Sequence, residues 1–299
     1  MENNFKSLKI NFEKLPEVDF EKKSFYFLFT PFLFLVAFYV YLKKKIIPKP
    51  KYNFYFFDGI SKNCREIKEN AASWKALDIV YNYCKRSENI YSDFWHDLRS
   101  SQATRNRLKL AKFLIFKNIE KISRTNRQVR VISIASGSAQ GVIESIAKAK
   151  EKGILVEGIL IDLDPNALEH AKKLAQGMGI ENQFTFLNKT ASAIIEIGKE
   201  FKPNLIEMVG FLEYRPFDKA VKLVNFIYQV LEKEGVFLVS QIIPNSESFF
   251  LKEVINWPMI YRKPEKLAEI LSLAGFSLNN CKFYQEPLKI HCVAECKKI

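Results

Sequence analysis

From residue 129 to the C-terminus, short apolar runs alternate with stretches whose apolar residues recur every three or four positions. The runs predict strands at 129–135, 156–161, 183–187, 205–210, 235–242, 276–284 and 289–296. The amphipathic stretches predict helices at 141–151, 165–177, 190–200, 217–233 and 262–274. Such alternation builds a mostly parallel sheet with helices on both faces. The last two runs follow each other without a helix, so they pair as a hairpin and give the sheet an antiparallel last strand. The expected class is α/β, a Rossmann-like doubly wound sheet of about seven strands spanning 129–299.

Upstream the pattern changes. Over 61–128 Leu108, Ala111, Ile115, Ile119 and Ile122 recur at helical spacing among Arg105, Arg107, Lys109, Lys112 and Lys117. This predicts a basic section of two to four helices. Residues 43–60, with Pro48 and Pro50, read as a linker, and residues 1–24 as a loose N-terminus. Between them, residues 25–42 (FYFLFTPFLFLVAFYVYL) hold eighteen positions without a charge, flanked by Lys22, Lys23 and Lys43–Lys45. At the helical rise they span roughly 27 Å, about the thickness of a bilayer's hydrocarbon core. The expectation is a single membrane-anchor helix, with the remainder of the chain on the cytoplasmic side.

The net charge of +13 is confined to the front of the chain. Residues 131–299 carry 20 basic and 20 acidic side chains, whereas 61–130 carry 16 against 7. A field able to attract an anionic surface or a polyanion belongs to the helical front. The five cysteines form no CxxC pair and the three histidines are scattered. This spacing predicts reduced thiols and no metal site.

Chemistry enters at residues 131–141. The run Val131-Ile132-Ser133-Ile134 ends in Ala135-Ser136-Gly137-Ser138-Ala139-Gln140-Gly141, a strand feeding a tight small-residue turn into a helix. The next run ends in Asp162, within Ile159-Leu160-Ile161-Asp162-Leu163-Asp164-Pro165. The turn is looser than the dinucleotide fingerprint, and a ligand without a pyrophosphate relaxes that requirement. With the terminal hairpin, these segments resemble the class I S-adenosylmethionine (SAM)-dependent methyltransferases over residues 100–299. The resemblance implies that Gly137, Ser138 and Gly141 line the methionine part of SAM. It implies that Asp162 accepts from the ribose hydroxyls, that Leu163 flanks the adenine, and that Lys189 and Thr190 approach its edge.

Further segments are Gln102-Ala103-Thr104-Arg105-Asn106-Arg107, Gln241, Trp257-Pro258-Met259-Ile260-Tyr261-Arg262 and Ala274-Gly275-Phe276. They resemble a bacterial family of uncharacterised methyltransferases of undefined substrate. At the end of the fourth strand, Glu213 and Tyr214 are candidates for a base or orienting group. Trp257, Tyr261 and Arg262 are candidates for an acceptor lid. Arg105 and Arg107 are candidates for an anionic group. The sequence therefore reads as a membrane-tethered SAM-dependent methyltransferase acting on a lipid or other hydrophobic small molecule. Two other readings stay open: an RNA methyltransferase using the basic front, and a NAD-dependent oxidoreductase or nucleotide-binding protein.

Overall fold

The computed structural model describes residues 10–22, 28–47 and 52–299. Its helices are α1 (Thr30–Ile46), α2 (Tyr55–Asp58), α3 (Lys62–Glu69), α4 (Trp74–Tyr81), α5 (Ile90–His96), α6 (Arg99–Ser123), α7 (Gln140–Glu151), α8 (Pro165–Gly177), α9 (Ile194–Phe201), α10 (Phe217–Val230), α11 (Ser248–Glu253) and α12 (Pro264–Leu273). Its strands are β1 (Val129–Ile134), β2 (Val156–Asp162), β3 (Phe184–Asn188), β4 (Leu205–Met208), β5 (Val236–Ile242), β6 (Cys281–Gln285) and β7 (His291–Lys297). The sheet order is β3-β2-β1-β4-β5-β7-β6, and β7 runs antiparallel to both its neighbours. The seven-strand α/β class with its antiparallel strand is the one expected.

Strand order reverses between β1 and β4, so their C-terminal ends open a crevice, the usual ligand position in doubly wound sheets. Both sheet faces are buried. Ile132, Ile134, Ile206 and Phe237 pack under α9, α10 and α12, while Val131, Leu160, Leu205 and Leu238 pack under α6, α7 and α8. A third apolar cluster lies outside the sheet. It joins Leu33 and Val40 of α1, Phe57, Ile67 and Trp95 of the front helices, and Phe250, Leu251 and Trp257 of the segment after β5.

That cluster corrects the membrane anchor. Among the described residues no helix is long and apolar enough to cross a membrane. Residues 25–27 of the predicted span lie outside the described residues. Pro31 sits in the first turn of α1, where its missing N–H costs nothing, and the helix starts at Thr30 rather than continuing through a kink. Lys43, Lys44 and Lys45 form its last turn, inside the helix. One stripe, Leu33, Val36, Ala37 and Val40, is buried, and the Lys44 ammonium donates to Asn256 at 2.8 Å and meets Glu253 at 3.4 Å. The segment is a packed helix with an exposed aromatic face, and the membrane-anchored localisation is withdrawn.

Other expectations shift locally. Residues 10–22, read as loose, run along the sheet edge: the Glu13 N–H donates to Phe283 O at 2.8 Å, and Phe20 is buried. The predicted linker contributes the end of α1 and all of α2. Cys281 and Cys296 face each other across β6 and β7 and are disulfide-bonded, correcting the expectation of reduced thiols for that pair.

Candidate functional site

A cleft of about 480 Å³ opens where β1, β2 and β4 end, within the usual size of a small-molecule site. Its floor is the turn between β1 and α7, in which Ala135, Gly137 and Ala139 all have φ between 50° and 54°. Two alanines held in the left-handed region store strain in a segment that must keep one shape. At Gly137 the conformation and the space both favour glycine, since an added Cβ would lie 3.2 Å from Trp74 Cβ. Ala139 gives α7 no side-chain cap, so the first N–H groups and the positive end of the helix dipole point into the cleft.

Asp162 shapes this turn. One carboxylate oxygen accepts from the Gly137 N–H at 2.8 Å and the other from the Asp164 N–H at 2.8 Å. An ionised carboxylate has about four lone-pair sites, so capacity remains for two hydroxyls. Asp164 caps α8 through the Asn166 N–H and accepts from Trp74 Nε1 at 2.8 Å. Trp74, at the start of α4, therefore covers the turn.

Glu207 on β4 also lines the cleft. Its carboxylate is buried and accepts from Ser133 Oγ at 2.6 Å and from the Val209 N–H at 2.8 Å. No cation among the described residues is within ion-pair distance of it. Burial pushes its pKa up. A buried carboxylate outside any ion pair is costly even with Arg107 drawing its pKa down, and a cationic ligand group lessens that cost.

A second, apolar cavity lies behind the cleft, between the front helices, α6 and the segment after β5. Phe57, Ile67, Val80, Trp95, Leu251 and Trp257 form most of its wall. Leu77, Gly210 and Tyr214 line both spaces, so the two meet there. At the junction Arg107 of α6 is buried against Glu213: Nη1 donates to Glu213 Oε1 at 3.2 Å and Nη2 to Tyr81 Oη at 2.9 Å. Gly210 has φ +89°, and a Cβ there would stand 3.1 Å from Arg107 Nη2. Burial opposes the charge of Arg107, yet Tyr81 and Glu213 keep it protonated; burial pushes Glu213 up.

Of the predicted SAM-contacting residues, Gly137, Ser138, Gly141, Asp162, Leu163 and Lys189 line the cleft, and Thr190 does not. Gly141 also brings α7 close to α6, because a Cβ there would meet Leu108 at 3.2 Å. Of the acceptor candidates, Glu213, Tyr214 and Trp257 line the apolar cavity, and Trp257 Nε1 donates to Tyr214 Oη at 2.6 Å. Tyr261 and Arg262 line neither space. Arg262 is committed to Leu212 O at 3.0 Å, Gln241 Oε1 at 2.9 Å and Arg215 O. Arg105 is paired with Glu21 at 2.7 Å. Among the described residues no three His, Cys, Asp or Glu side chains form a metal-holding group. Sequence reasoning missed Trp74 and Glu207 entirely. Glu207, a lone acid within the apolar run Leu205–Val209, carried a readable signal.

A family profile described as "Putative methyltransferase" matches residues 72–245. No curated protein sequence matches the chain. Among solved structures, a possible exported protein from Bordetella parapertussis aligns with a TM-score of 0.68 at 16% identity, covering 89% of this chain and 95% of that one. Magnesium protoporphyrin IX methyltransferase from Synechocystis PCC 6803, with bound S-adenosylhomocysteine (SAH), gives 0.56 at 13% identity, covering 80% and 100%. An O-methyltransferase family protein from Burkholderia thailandensis gives 0.51 at 11% identity, covering 90% and 71%.

Proposed function

The chain belongs to this family of methyltransferases, and on that premise we propose that it transfers a methyl group from SAM in the cleft to a small apolar acceptor in the cavity behind Gly210. The enzyme is a SAM-dependent methyltransferase; the acceptor and the residue roles are the proposal. Bound SAM supplies an electrophilic methyl group. The α7 N-terminus suits its carboxylate, Asp162 its ribose hydroxyls, and Glu207 one of its cationic groups. The exposed Leu163 and Lys189 suit the adenine side.

The observation that carries this reading is the shared boundary of the two spaces at Leu77, Gly210 and Tyr214. It brings a polar, backbone-rich donor site next to an apolar acceptor site. Alignment of donor and acceptor supplies much of the rate in such a transfer. An RNA acceptor is disfavoured, because a stacking groove for single strands is lined with cations, whereas this cavity is walled by aliphatic and aromatic side chains. The test incubates the full chain with methyl-labelled SAM and either an organic-solvent extract of cells or total RNA. Label in the organic-soluble products is expected. Label in RNA alone overturns the apolar acceptor.

A further inference from the structure

We propose that the acceptor is a neutral, ring-sized molecule bearing an acidic hydroxyl, that Glu213 takes the hydroxyl proton, and that the product is a methyl ether. This rests on the reading that the apolar cavity is the acceptor site.

The cavity wall is mainly apolar, and its polar lining residues include the Arg107–Glu213 pair with His291 near Arg107, together with Ser100 and His96. Several buried polar atoms there have no protein partner: Ser100 Oγ, Arg107 Nε, Glu213 Oε2, both His96 nitrogens and His291 Nδ1. Buried polar groups are nearly always satisfied, so an orphaned carboxylate oxygen such as Glu213 Oε2 on a cavity wall marks a place where a ligand supplies the missing bond. The other hydroxyls of the wall already have protein partners: Ser101 donates to Trp95 O, Thr104 to Ser100 O, and Tyr214 accepts from Trp257 Nε1, so the acceptor has one polar end and an apolar body.

The charge balance narrows the polar end. Among the described residues that line the cavity the one guanidinium, Arg107, has its charge paired with Glu213, and burial keeps the two histidines uncharged, with His96 held down to about 3. A phosphate or sulfate entering here would meet the Glu213 carboxylate and a guanidinium whose charge is already balanced by it. A hydroxyl fits, donating to Glu213 Oε2 while Arg107 stabilises the oxyanion that forms. Methylating a neutral amine would instead create a cation beside Arg107. In the reaction the O–H proton passes to Glu213, and an oxygen electron pair bonds the methyl carbon. The electron pair of the broken C–S bond stays on sulfur, leaving SAH, the methyl ether and a protonated Glu213 that returns its proton to water.

The cavity is about 60 Å³, below the roughly 150 Å³ that holds a benzene ring. A ring therefore enters only by displacing side chains of the wall, which limits the acceptor to a compact one.

The test uses the full chain, methyl-labelled SAM, and three probes of one shape: 4-ethylphenol, 4-ethylaniline and 4-ethylphenyl phosphate. Methylation of the phenol alone is expected, and Glu213→Gln lowers its turnover about 10²- to 10⁴-fold with SAH affinity unchanged. Transfer to the aniline or the phosphate ester in preference, or to none of the three with SAH still bound, overturns the acceptor class. Full turnover in Glu213→Gln overturns the base. If Glu213→Gln does not fold, the comparison of probes on the native chain remains decisive. Loss of SAH binding by the native chain would instead defeat the donor-site reading beneath the proposal.

Discussion

The two spaces that meet at Gly210 are built on opposite principles. The donor cleft is made largely of backbone: a strained turn, a helix N-terminus and two strand ends, trimmed by Asp162 and Glu207. The acceptor cavity is made of side chains from α2 to α6 and the segment after β5, with the Arg107–Glu213 pair in its wall. Backbone recognition serves a ligand that never changes, since main-chain N–H groups survive substitution. Side-chain recognition allows the acceptor to change while the donor site stays fixed.

The largest expected effect on stability lies in that pair. Arg107→Met removes the partner of a buried carboxylate and should cost about 3–5 kcal/mol, read by denaturant unfolding. Adding Glu213→Leu should recover much of it. A single mutant as stable as the native chain would mean that the pair is not buried as described.

On the donor side, Glu207→Gln removes a buried negative charge from the cleft. SAM affinity should fall about tenfold or more by calorimetry while the melting temperature holds or rises, because a buried carboxylate outside any ion pair has been neutralised. Unchanged affinity would remove Glu207 from the donor site. Gly137→Ala should cost about 1–2 kcal/mol from the left-handed backbone and weaken SAH binding through Trp74, with little change in the acceptor cavity.

The smallest effect concerns pH. His96 is stacked on Tyr83 at 3.6 Å between ring centroids, and its burial lowers its pKa to about 3. The unfolded chain takes up this proton below about 6.5, whereas the folded chain does so only near 3. The stability contribution is thus complete above pH 6.5 and is lost as pH falls toward 3. His96→Phe should flatten the unfolding-versus-pH curve across that window. An unaltered slope would place the acid sensitivity elsewhere.

The donor cleft was far more legible in the sequence than the acceptor cavity, for a physical reason. Its parts are contiguous: 131–141 and 156–164 each hold a strand, a turn and the start of a helix, and local patterns encode them. The cavity unites residues as distant as Phe57 and Trp257, whose meeting depends on tertiary packing. Arg107 reads, with Arg105, as a candidate for an anionic group, but the carboxylate it meets, Glu213, lies 106 positions away. Of the candidates there, Trp257 and Glu213 line the cavity, whereas Tyr261 and Arg262 line neither space and Arg262 donates to the Leu212 and Arg215 carbonyls. The apolar segment 25–42 misled because hydropathy sums over the whole helix and cannot tell a lipid partner from α11. Pro31, readable as a kink that a membrane helix tolerates, instead marks the start of the helix.

The central claim is that the β1–α7 turn and Asp162 hold SAM. Calorimetric titration of SAH into the native chain and into Asp162→Ala tests it most directly. The account predicts one-to-one binding by the native chain and at least a tenfold loss in the variant, with the fold retained by circular dichroism. Equal affinity in both proteins, or binding of NAD in place of SAH, would contradict it.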